Sequence, residues 1–308
     1  MGTEKIMECV VDAASLGYAR VEDIPLFHVA PGGAALRVVV PASCEPPLRS
    51  CPPWCGDVGE IVAAAGSESP VRLPCSLVAG LARRWRVDVV IVEGVCLDTR
   101  RLQPLLENLK SVDVSVGVRL LGAVRLGEPA ISSVDFALVD CLCPLVDSVE
   151  YRIGTLGLIE KVASSGVQLE IAVYMEEPRV EHLTPLIHRI PGEVGVHVFV
   201  GDPRGGGPVR VLYEEARRRH PFIYIHSPPY DVLDTFCPNC GAIVAVREDS
   251  ALVALKAPGG RCWRCGFKLP FRRLVYERTR DTILRRSGAG TVWHDPSMLT
   301  RGYSRGRT

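Results

Sequence analysis

Apolar runs typical of buried strands alternate with helical stretches through most of the chain. Within each run the apolar residues are consecutive, which indicates a strand that is covered on both faces. Such strands form parallel sheets in which helices connect one strand to the next. The predicted strands are residues 35–40, 87–92, 112–120, 134–139, 167–173 and 194–200, and the predicted helices are residues 77–85, 102–109, 156–164 and 180–188.

This alternation predicts an α/β fold with parallel strands, either an open doubly wound sheet or a full or partial (β/α) barrel. A chain of 308 residues has room for one such domain and a small second unit. In both folds, ligands bind at the carboxyl ends of the strands. We therefore expect the functional site in the loops that follow the strands.

The sequence divides into four predicted parts. Residues 1–24 are a helical lead-in, because their apolar residues have helical spacing up to Gly17. Residues 25–220 form the (β/α) domain, and residues 221–275 form a small separate unit. Residues 276–308 are an arginine-rich tail, which we expect to be a solvated or frayed end because charge runs usually are.

Three cysteines, Cys44, Cys51 and Cys55, follow the first predicted strand in a proline-rich loop. The chain shows no signal-peptide pattern and no apolar run of the roughly 18 residues that span a bilayer, so we expect a cytoplasmic protein without membrane contacts. In the cytoplasm, cysteines are more often reduced or metal-bound than paired in disulfides. The loop is therefore a candidate iron–sulfur site. The alternative is a stiff loop with buried structural thiols, because C-x6-C-x3-C is no standard zinc spacing.

A second cysteine group has the spacing of a tetrahedral metal site. Cys237 and Cys240 form one C-x2-C turn, Cys262 and Cys265 form another, and a glycine follows each turn. Each turn supplies two thiolates to one ion, and the glycine gives the turn its backbone freedom. The pattern predicts a zinc ribbon in which residues 242–257 form a hairpin. Such closed sites stabilise a fold or bind partners rather than catalyse.

Other features are predicted to be structural. Cys9, Cys75 and Cys96 are assigned to the core, as are Cys141 and Cys143, which share one face of a strand. Residues 202–208 lack the lysine of a phosphate loop and are predicted to form a turn. His226 is the most interesting histidine because it lies between a strand and the zinc ribbon, but a structural role is favoured. The net charge of +1 gives no general attraction to nucleic acid.

Several motifs together match one known family. Pro25-Leu26-Phe27-His28 precedes the first long strand, Trp54 directly precedes Cys55, and Phe236-Cys237-Pro238-Asn239-Cys240-Gly241 opens the predicted ribbon. These pieces resemble the radical S-adenosylmethionine superfamily, and within it the AmmeMemoRadiSam system radical SAM enzyme of the pyruvate formate-lyase activating type. The resemblance extends over residues 25–270. Residues 25–220 would then be a radical SAM-like barrel.

The resemblance implies a cofactor set and a reaction. Cys44, Cys51 and Cys55 would hold a [4Fe–4S] cluster whose open iron binds S-adenosylmethionine. An electron from an external donor would then cleave the cofactor to a 5′-deoxyadenosyl radical. The implied substrate is a hydrogen-atom donor, such as a glycine of a partner protein. Glu93, Gly94 and Asp140 match cofactor-contacting segments of the family and are candidate cofactor-binding residues.

The chain also departs from the family pattern. The family motif C-x3-C-x2-C is longer here in both gaps, and the lysine of the family's Asp-Leu-Lys segment is absent after Asp140. No catalytic residue is identified, and two alternatives stay open. One is a non-catalytic barrel-and-zinc-ribbon scaffold for a partner, which would contain zinc but no iron. The other is a zinc-ribbon RNA-binding factor, which would show steeply salt-dependent RNA affinity.

Overall fold

The computed structural model describes residues 9–43, 52–67, 69–95, 99–121, 133–142, 146, 148–275 and 290–303. The strands are β1 (Val10–Ala13), β2 (Ser15–Arg20), β3 (Ala34–Val39), β4 (Val71–Pro74), β5 (Val89–Val95), β6 (Ser115–Leu121), β7 (Phe136–Cys141), β8 (Gln168–Met175), β9 (Gly195–Val200), β10 (Ile223–His226), β11 (Thr235–Phe236), β12 (Ile243–Glu248), β13 (Ala251–Leu255) and β14 (Val292–His294). The helices are α1 (Val58–Ala65), α2 (Cys75–Arg84), α3 (Thr99–Leu109), α4 (Val149–Ser164), α5 (Val180–Ile187), α6 (Gly206–Arg217) and α7 (Pro296–Tyr303).

Nine strands form one large sheet in the order β10-β9-β8-β7-β6-β5-β3-β2-β14. Neighbours from β3 to β10 are parallel, whereas β2 pairs antiparallel with β3 and β14 antiparallel with β2. The predicted α/β class with a mostly parallel sheet is therefore confirmed. Within the described ranges no pairing joins β10 to β14, so closure into a full barrel is not observed. A partial barrel stays a prediction.

One face of the large sheet is apolar and packs against helices. Val38, Val92, Val118, Val139 and Val173 point to this side and join a single core with the apolar stripes of helices α2 to α6. Val and Ile suit these strands because their branched side chains pack well on a pleated surface. Each such side chain contributes about 1.5–3 kcal/mol when fully buried. We call this side the helix-covered face.

The opposite face of the sheet carries polar side chains among apolar ones, and we call it the polar face. Because side chains alternate along a strand, Arg37 lies on this face with Ala35 and Val39, and Glu93 lies there with Ile91. Helix α1 and the segment 21–30 pack over this side of the sheet. The site described below lies beneath them.

The amino-terminal prediction is wrong for the residues that the structure describes. Residues 10–20 form β1 and β2 rather than a helix, and β2 pairs along its length with β3. Helical spacing is a weak signal in so short a segment, and pairing with the edge of a large sheet outweighs it.

Two cysteines predicted as reduced core residues are paired instead. Cys9 and Cys75 form a disulfide that joins the chain before β1 to the first residue of α2. The two cysteines are 66 residues apart, so the pairing follows from the contact between β1 and β4 and not from any local motif. Cys141 is a core residue on the helix-covered face, as predicted. Cys96 and Cys143 lie outside the described residues.

The carboxyl-terminal third contains a second, smaller sheet. Strands β11, β12 and β13 are antiparallel and form the predicted hairpin region. Val244 and Leu269 of this unit pack with Phe27, Phe222 and Tyr224 in one core, so the unit docks on the β10 edge of the large sheet. Helix α6 begins at Gly206, so the turn predicted for residues 202–208 is shorter than expected.

Part of the predicted solvated tail is folded. Strand β14 extends the large sheet by pairing with β2, and α7 follows it. The expectation of a frayed end is therefore wrong for residues 290–303, while residues 276–289 and 304–308 lie outside the described ranges. Every helix of the described part is too short or too polar to cross a lipid bilayer.

Candidate functional site

Charged side chains from adjacent strands meet on the polar face near the carboxyl ends of the strands. Arg37 comes from β3, Glu93 from β5, Arg119 from β6 and Asp140 from β7, and each is at most 1% exposed. Each residue stands in an otherwise apolar strand and is brought beside the next one by the parallel register. Buried charges persist in proteins only when they are paired and hydrogen-bonded.

The pairs are bidentate. Arg37 donates from Nε to Glu93 Oε2 over 2.7 Å and from Nη2 to Oε1 over 2.9 Å. Arg119 donates from Nε to Asp140 Oδ2 over 2.7 Å and from Nη2 to Oδ1 over 2.9 Å. The hydroxyl of Tyr174 on β8 donates to Asp140 Oδ1 over 2.7 Å. The planar guanidinium matches a carboxylate in this fork geometry, which fixes both partners.

Asp57, at the start of α1, joins the two pairs. Its Oδ2 lies 2.5 Å from Arg37 Nη2, and its Oδ1 accepts from Arg119 Nη1 over 2.8 Å. Burial raises the pKa of Asp57, but Arg119 and Arg37 outweigh that effect and lower it below the ordinary value. Arg37, Asp57, Glu93, Arg119 and Asp140 are the arginine–carboxylate network. With all groups ionised, it has two positive and three negative charges.

The network includes two of the predicted cofactor-binding residues. Both oxygens of Glu93 and both oxygens of Asp140 accept hydrogen bonds from arginines, so neither carboxylate is presented to a ligand in this structure. Gly94 is buried next to Glu93 in β5, and strand alternation turns it toward the helix-covered face. The structure therefore does not bring these three residues together around an accessible site.

Sequence reasoning missed Arg37, Asp57 and Arg119. The signal was present for the two arginines, because each interrupts an apolar run predicted to be buried. A buried arginine needs a buried acid nearby. The carboxyl-terminal tail also contacts the network. Thr291 accepts a hydrogen bond from Arg37 over 2.6 Å, and the Trp293 ring lies 4.8 Å from the Arg37 guanidinium.

The end of the predicted cluster loop lies against the carboxyl end of β9. Cys55 is fully buried at the end of the short 3-10 helix Pro53–Cys55. Trp54 packs on Gly201, just beyond β9, where a Cβ would collide with the indole ring. Gly56 lies beside Phe199 and has a φ of 60°, which a glycine adopts without strain. Cys44 and Cys51 lie outside the described residues, so their predicted joint ligation with Cys55 stays a prediction.

A second polar group lies on the same face, between β8, β9 and β10. Glu170 accepts the backbone N–H of His28 at Oε1 over 2.8 Å, and its Oε2 lies 3.2 Å from His197 Nε2. His197 Nδ1 lies 3.0 Å from His226 Nε2, and His28 Nε2 lies 2.9 Å from the Tyr224 hydroxyl. We call Glu170, His197 and His226 the histidine chain.

Burial controls the protonation of the histidine chain. It raises the pKa of Glu170 to about 8, lowers the pKa of His226 to about 3, and lowers the pKa of His197 well below its ordinary value. The positive charge of Arg247, which reaches this region from β12, further lowers the pKa of His226. The uncharged form of each of these three side chains is therefore favoured at neutral pH.

The four cysteines of the second group come together. Their sulfurs all lie within 4.8 Å of one another, with Cys237 and Cys265 3.6 Å apart and Cys240 and Cys262 3.7 Å apart. Four sulfurs at ~2.3 Å from a tetrahedral ion are ~3.8 Å apart, so the spacing fits one metal ion. Gly241 and Gly266 follow the turns with φ of 69° and 74°. A hydrogen bond from Asn239 is the main reason that the pKa of Cys265 is lowered to about 6, which favours the thiolate.

The sequence matches no protein-family model and no curated protein. Among solved structures it is similar to the crystal structure of Streptococcus suis SuiB bound to S-adenosylmethionine, with 13% identity and a TM-score of 0.41. That match covers 63% of this chain and 52% of that chain, so the matched region spans about half the length of SuiB. A likeness of this size supports no inference about ligand or activity.

Proposed function

We propose that the protein is a divergent radical S-adenosylmethionine-like protein with two metal centres. Cys44, Cys51 and Cys55 would hold a [4Fe–4S] cluster, and the four cysteines of the ribbon would hold zinc. The observation that supports the first centre is the burial of Cys55 at the carboxyl end of β9, beside the arginine–carboxylate network. Ligands of parallel sheets bind at this edge.

The described residues do not supply the predicted carboxylate contacts to S-adenosylmethionine. Glu93 and Asp140 do not fit as contacts, because arginines already occupy their oxygens. No step of the reaction is therefore assigned to these two carboxylates. A cofactor at this edge would need other groups, including backbone and loop residues around Gly56. The hydrogen-atom donor, a partner protein and an external electron donor remain parts of the proposal that follow from the sequence resemblance.

The zinc centre has a structural role in this proposal. The four sulfurs close around one position, and a closed four-thiolate site has no open position for a substrate. The ribbon core is continuous with Phe27 and Tyr224, so metal binding would stabilise the docking of the ribbon on the β10 edge.

A second candidate is a non-catalytic scaffold that binds zinc but neither cluster nor S-adenosylmethionine. The specific observation in its favour is the closed arginine–carboxylate network, whose members other than Asp57 are almost entirely buried. A scaffold of this kind would present its surface to a partner without any chemistry at the carboxyl edge.

Metal analysis of anaerobically purified protein tests both candidates. Iron, sulfide and zinc are measured in the native protein and in Cys51→Ala, Cys265→Ala and Cys141→Ala. The last variant removes a buried cysteine that belongs to neither predicted site. The first candidate predicts close to four irons per cluster, lost only in Cys51→Ala, and zinc lost only in Cys265→Ala. A reduced sample should then form 5′-deoxyadenosine from S-adenosylmethionine.

Two outcomes would contradict the first candidate. Zinc alone in the native protein and in Cys51→Ala, with iron in neither, would eliminate the cluster and leave the scaffold. Iron that disappears in Cys265→Ala but persists in Cys51→Ala would assign iron to the ribbon, and would be incompatible with both proposed centres.

A further inference from the structure

The histidine chain connects a buried carboxyl group to a partly exposed imidazole. Glu170 and His197 are fully buried, whereas His226 is partly exposed at the carboxyl end of β10. The two links, 3.2 Å from Glu170 Oε2 to His197 Nε2 and 3.0 Å from His197 Nδ1 to His226 Nε2, use both ring nitrogens of His197. From this geometry we propose that Glu170, His197 and His226 form a relay that takes a proton from a hydroxyl or amine group of a ligand at the carboxyl edge.

The outer end of the relay faces the region already described. The His226 ring stacks on Phe199 with centroids 4.3 Å apart, and Phe199 in turn stacks on Tyr174 and lies beside Gly56. Since Nε2 of His226 is hydrogen-bonded to His197, Nδ1 is the nitrogen available to a ligand. Among the described residues no group hydrogen-bonds that nitrogen.

Transfer of one proton through the relay leaves both imidazoles uncharged, because each ring gains one proton and loses another. Before transfer, Glu170 is in its carboxylate form, which predominates above about pH 8, and both imidazoles carry their proton on Nε2. A ligand proton binds Nδ1 of His226, the Nε2 proton of His226 moves to Nδ1 of His197, and the Nε2 proton of His197 moves to Oε2 of Glu170. The ligand loses one proton and Glu170 gains it. Oε1 accepts the His28 N–H in both states.

The surroundings of the relay favour the state in which Glu170 holds the proton. Burial raises the pKa of Glu170 and lowers the pKa of both imidazoles, so the proton is more stable on the carboxyl group than on either ring. Among the residues that the structure describes, the other titratable groups around the relay are His28 from the segment before β3, Tyr224 from β10 and Arg247 from β12. Burial lowers the pKa of His28 and raises that of Tyr224, which leaves Arg247 as the positive neighbour.

The backbone also makes room for the carboxyl group. Gly195 is in register with Glu170 on the neighbouring strand β9, and a Cβ there would collide with Oε2. A side chain at that position would push the carboxyl group away from His197. The glycine therefore permits the first link of the relay.

Modification of His226 by diethyl pyrocarbonate tests the relay. The reagent attacks an unprotonated imidazole nitrogen that solvent can reach, so His226 reacts only while Nδ1 has a free lone pair. The full-length protein is treated between pH 6 and pH 9, and peptide mass spectrometry gives the rate at His226 relative to exposed His182 and His188. The rate should rise about tenfold from pH 7 to pH 9, with a midpoint near pH 8, where Glu170 ionises. A free imidazole has its midpoint near pH 6.5.

Three variants make the test specific. In Glu170→Gln the rate should be independent of pH within about twofold, because no carboxyl group remains to titrate. Glu176→Gln, an exposed position just beyond β8, should keep the native profile. If Glu170→Gln does not fold, His197→Phe interrupts the relay while keeping an aromatic ring, and should remove the midpoint near pH 8.

The relay is refuted if native His226 titrates near pH 6.5, if it is unreactive at every pH, or if Glu170→Gln keeps the native profile. The inference does not depend on the proposed iron–sulfur cluster. Protein that contains zinc and no iron should give the same profile, so failure of the cluster proposal and failure of the relay are distinguishable.

Discussion

Replacement of Arg119 by methionine should strongly destabilise the protein. The arginine donates two hydrogen bonds to Asp140 and one each to Asp57, the Tyr174 hydroxyl and, over 3.5 Å, Glu93. Its side chain is 1% exposed. With all groups ionised, its removal changes the network from two positive and three negative charges to one positive and three negative. Leaving a buried charge without its partner costs about 3–5 kcal/mol. Methionine has a similar length and fills most of the same space, so little of the loss should come from a cavity.

Urea unfolding measures this loss, and a second substitution identifies its cause. The double variant Arg119→Met/Asp140→Leu again has one negative charge in excess, as the native network has. It should recover at least about half of the lost stability, because a buried ion pair can be exchanged for apolar side chains at little cost. The control is Arg189→Met, whose partner Glu160 is 3.4 Å away and half exposed. That variant should change the free energy of unfolding by less than about 0.5 kcal/mol.

The reasoning would be refuted by a loss below about 1 kcal/mol in Arg119→Met, since that value is typical of an exposed pair. A double variant no more stable than the single one would also contradict it. In that case the cost would come from lost packing and not from an unpaired buried carboxylate.

Three further predictions concern other parts of the molecule. Removing the disulfide in Cys9→Ala/Cys75→Ala should lower the free energy of unfolding by about 4 kcal/mol, the chain-entropy value for a loop of 66 residues. Dithiothreitol should lower the free energy of unfolding of the native protein by the same amount and leave that of the variant unchanged. Equal stability of all samples would contradict this prediction. Folding raises the pKa of the Glu170 carboxyl group from 4.5 to about 8. Its protonated form is therefore favoured in the folded state, and the free energy of unfolding should fall as the pH rises through that window. Glu170→Gln should flatten this slope in urea unfolding, and an unaltered slope would disprove the assignment. A strong zinc chelator should reduce amide protection from hydrogen exchange in β11, β12 and β13, while protection in β5 to β8 persists. Loss of protection in both sets of strands would show that the small sheet and the large sheet unfold together.

The general fold could be predicted because its signals are local. The apolar runs at residues 87–92 and 194–200 coincide with β5 and β9 within a few residues. The helix predicted at residues 180–188 coincides with α5, since its apolar residues recur at helical spacing. The segment 10–20 failed because its strands are formed by partners, β4 and β3, that lie further along the chain.

The candidate site could be predicted only where a motif contains its own geometry. A C-x2-C turn with its glycine brings two thiols together within five residues, and two such turns gave the four-cysteine group. Glu93 and Asp140 were candidates through the family resemblance alone, and their arginine partners were not predicted. Arg119 and Asp140 are 21 residues apart, and their contact depends on β6 and β7 being neighbours.

The sequence alone therefore determined the α/β class and the four cysteines that come together in one group. Tertiary structure decided which charges neutralise each other, which cysteines form a disulfide, and which end of the chain extends the sheet. Thr291 contacts Arg37 across 254 residues of sequence, and His28 contacts Glu170 across 142. Such contacts depend on strand order and register, which short-range periodicity does not encode. They arise only when the whole sheet is assembled.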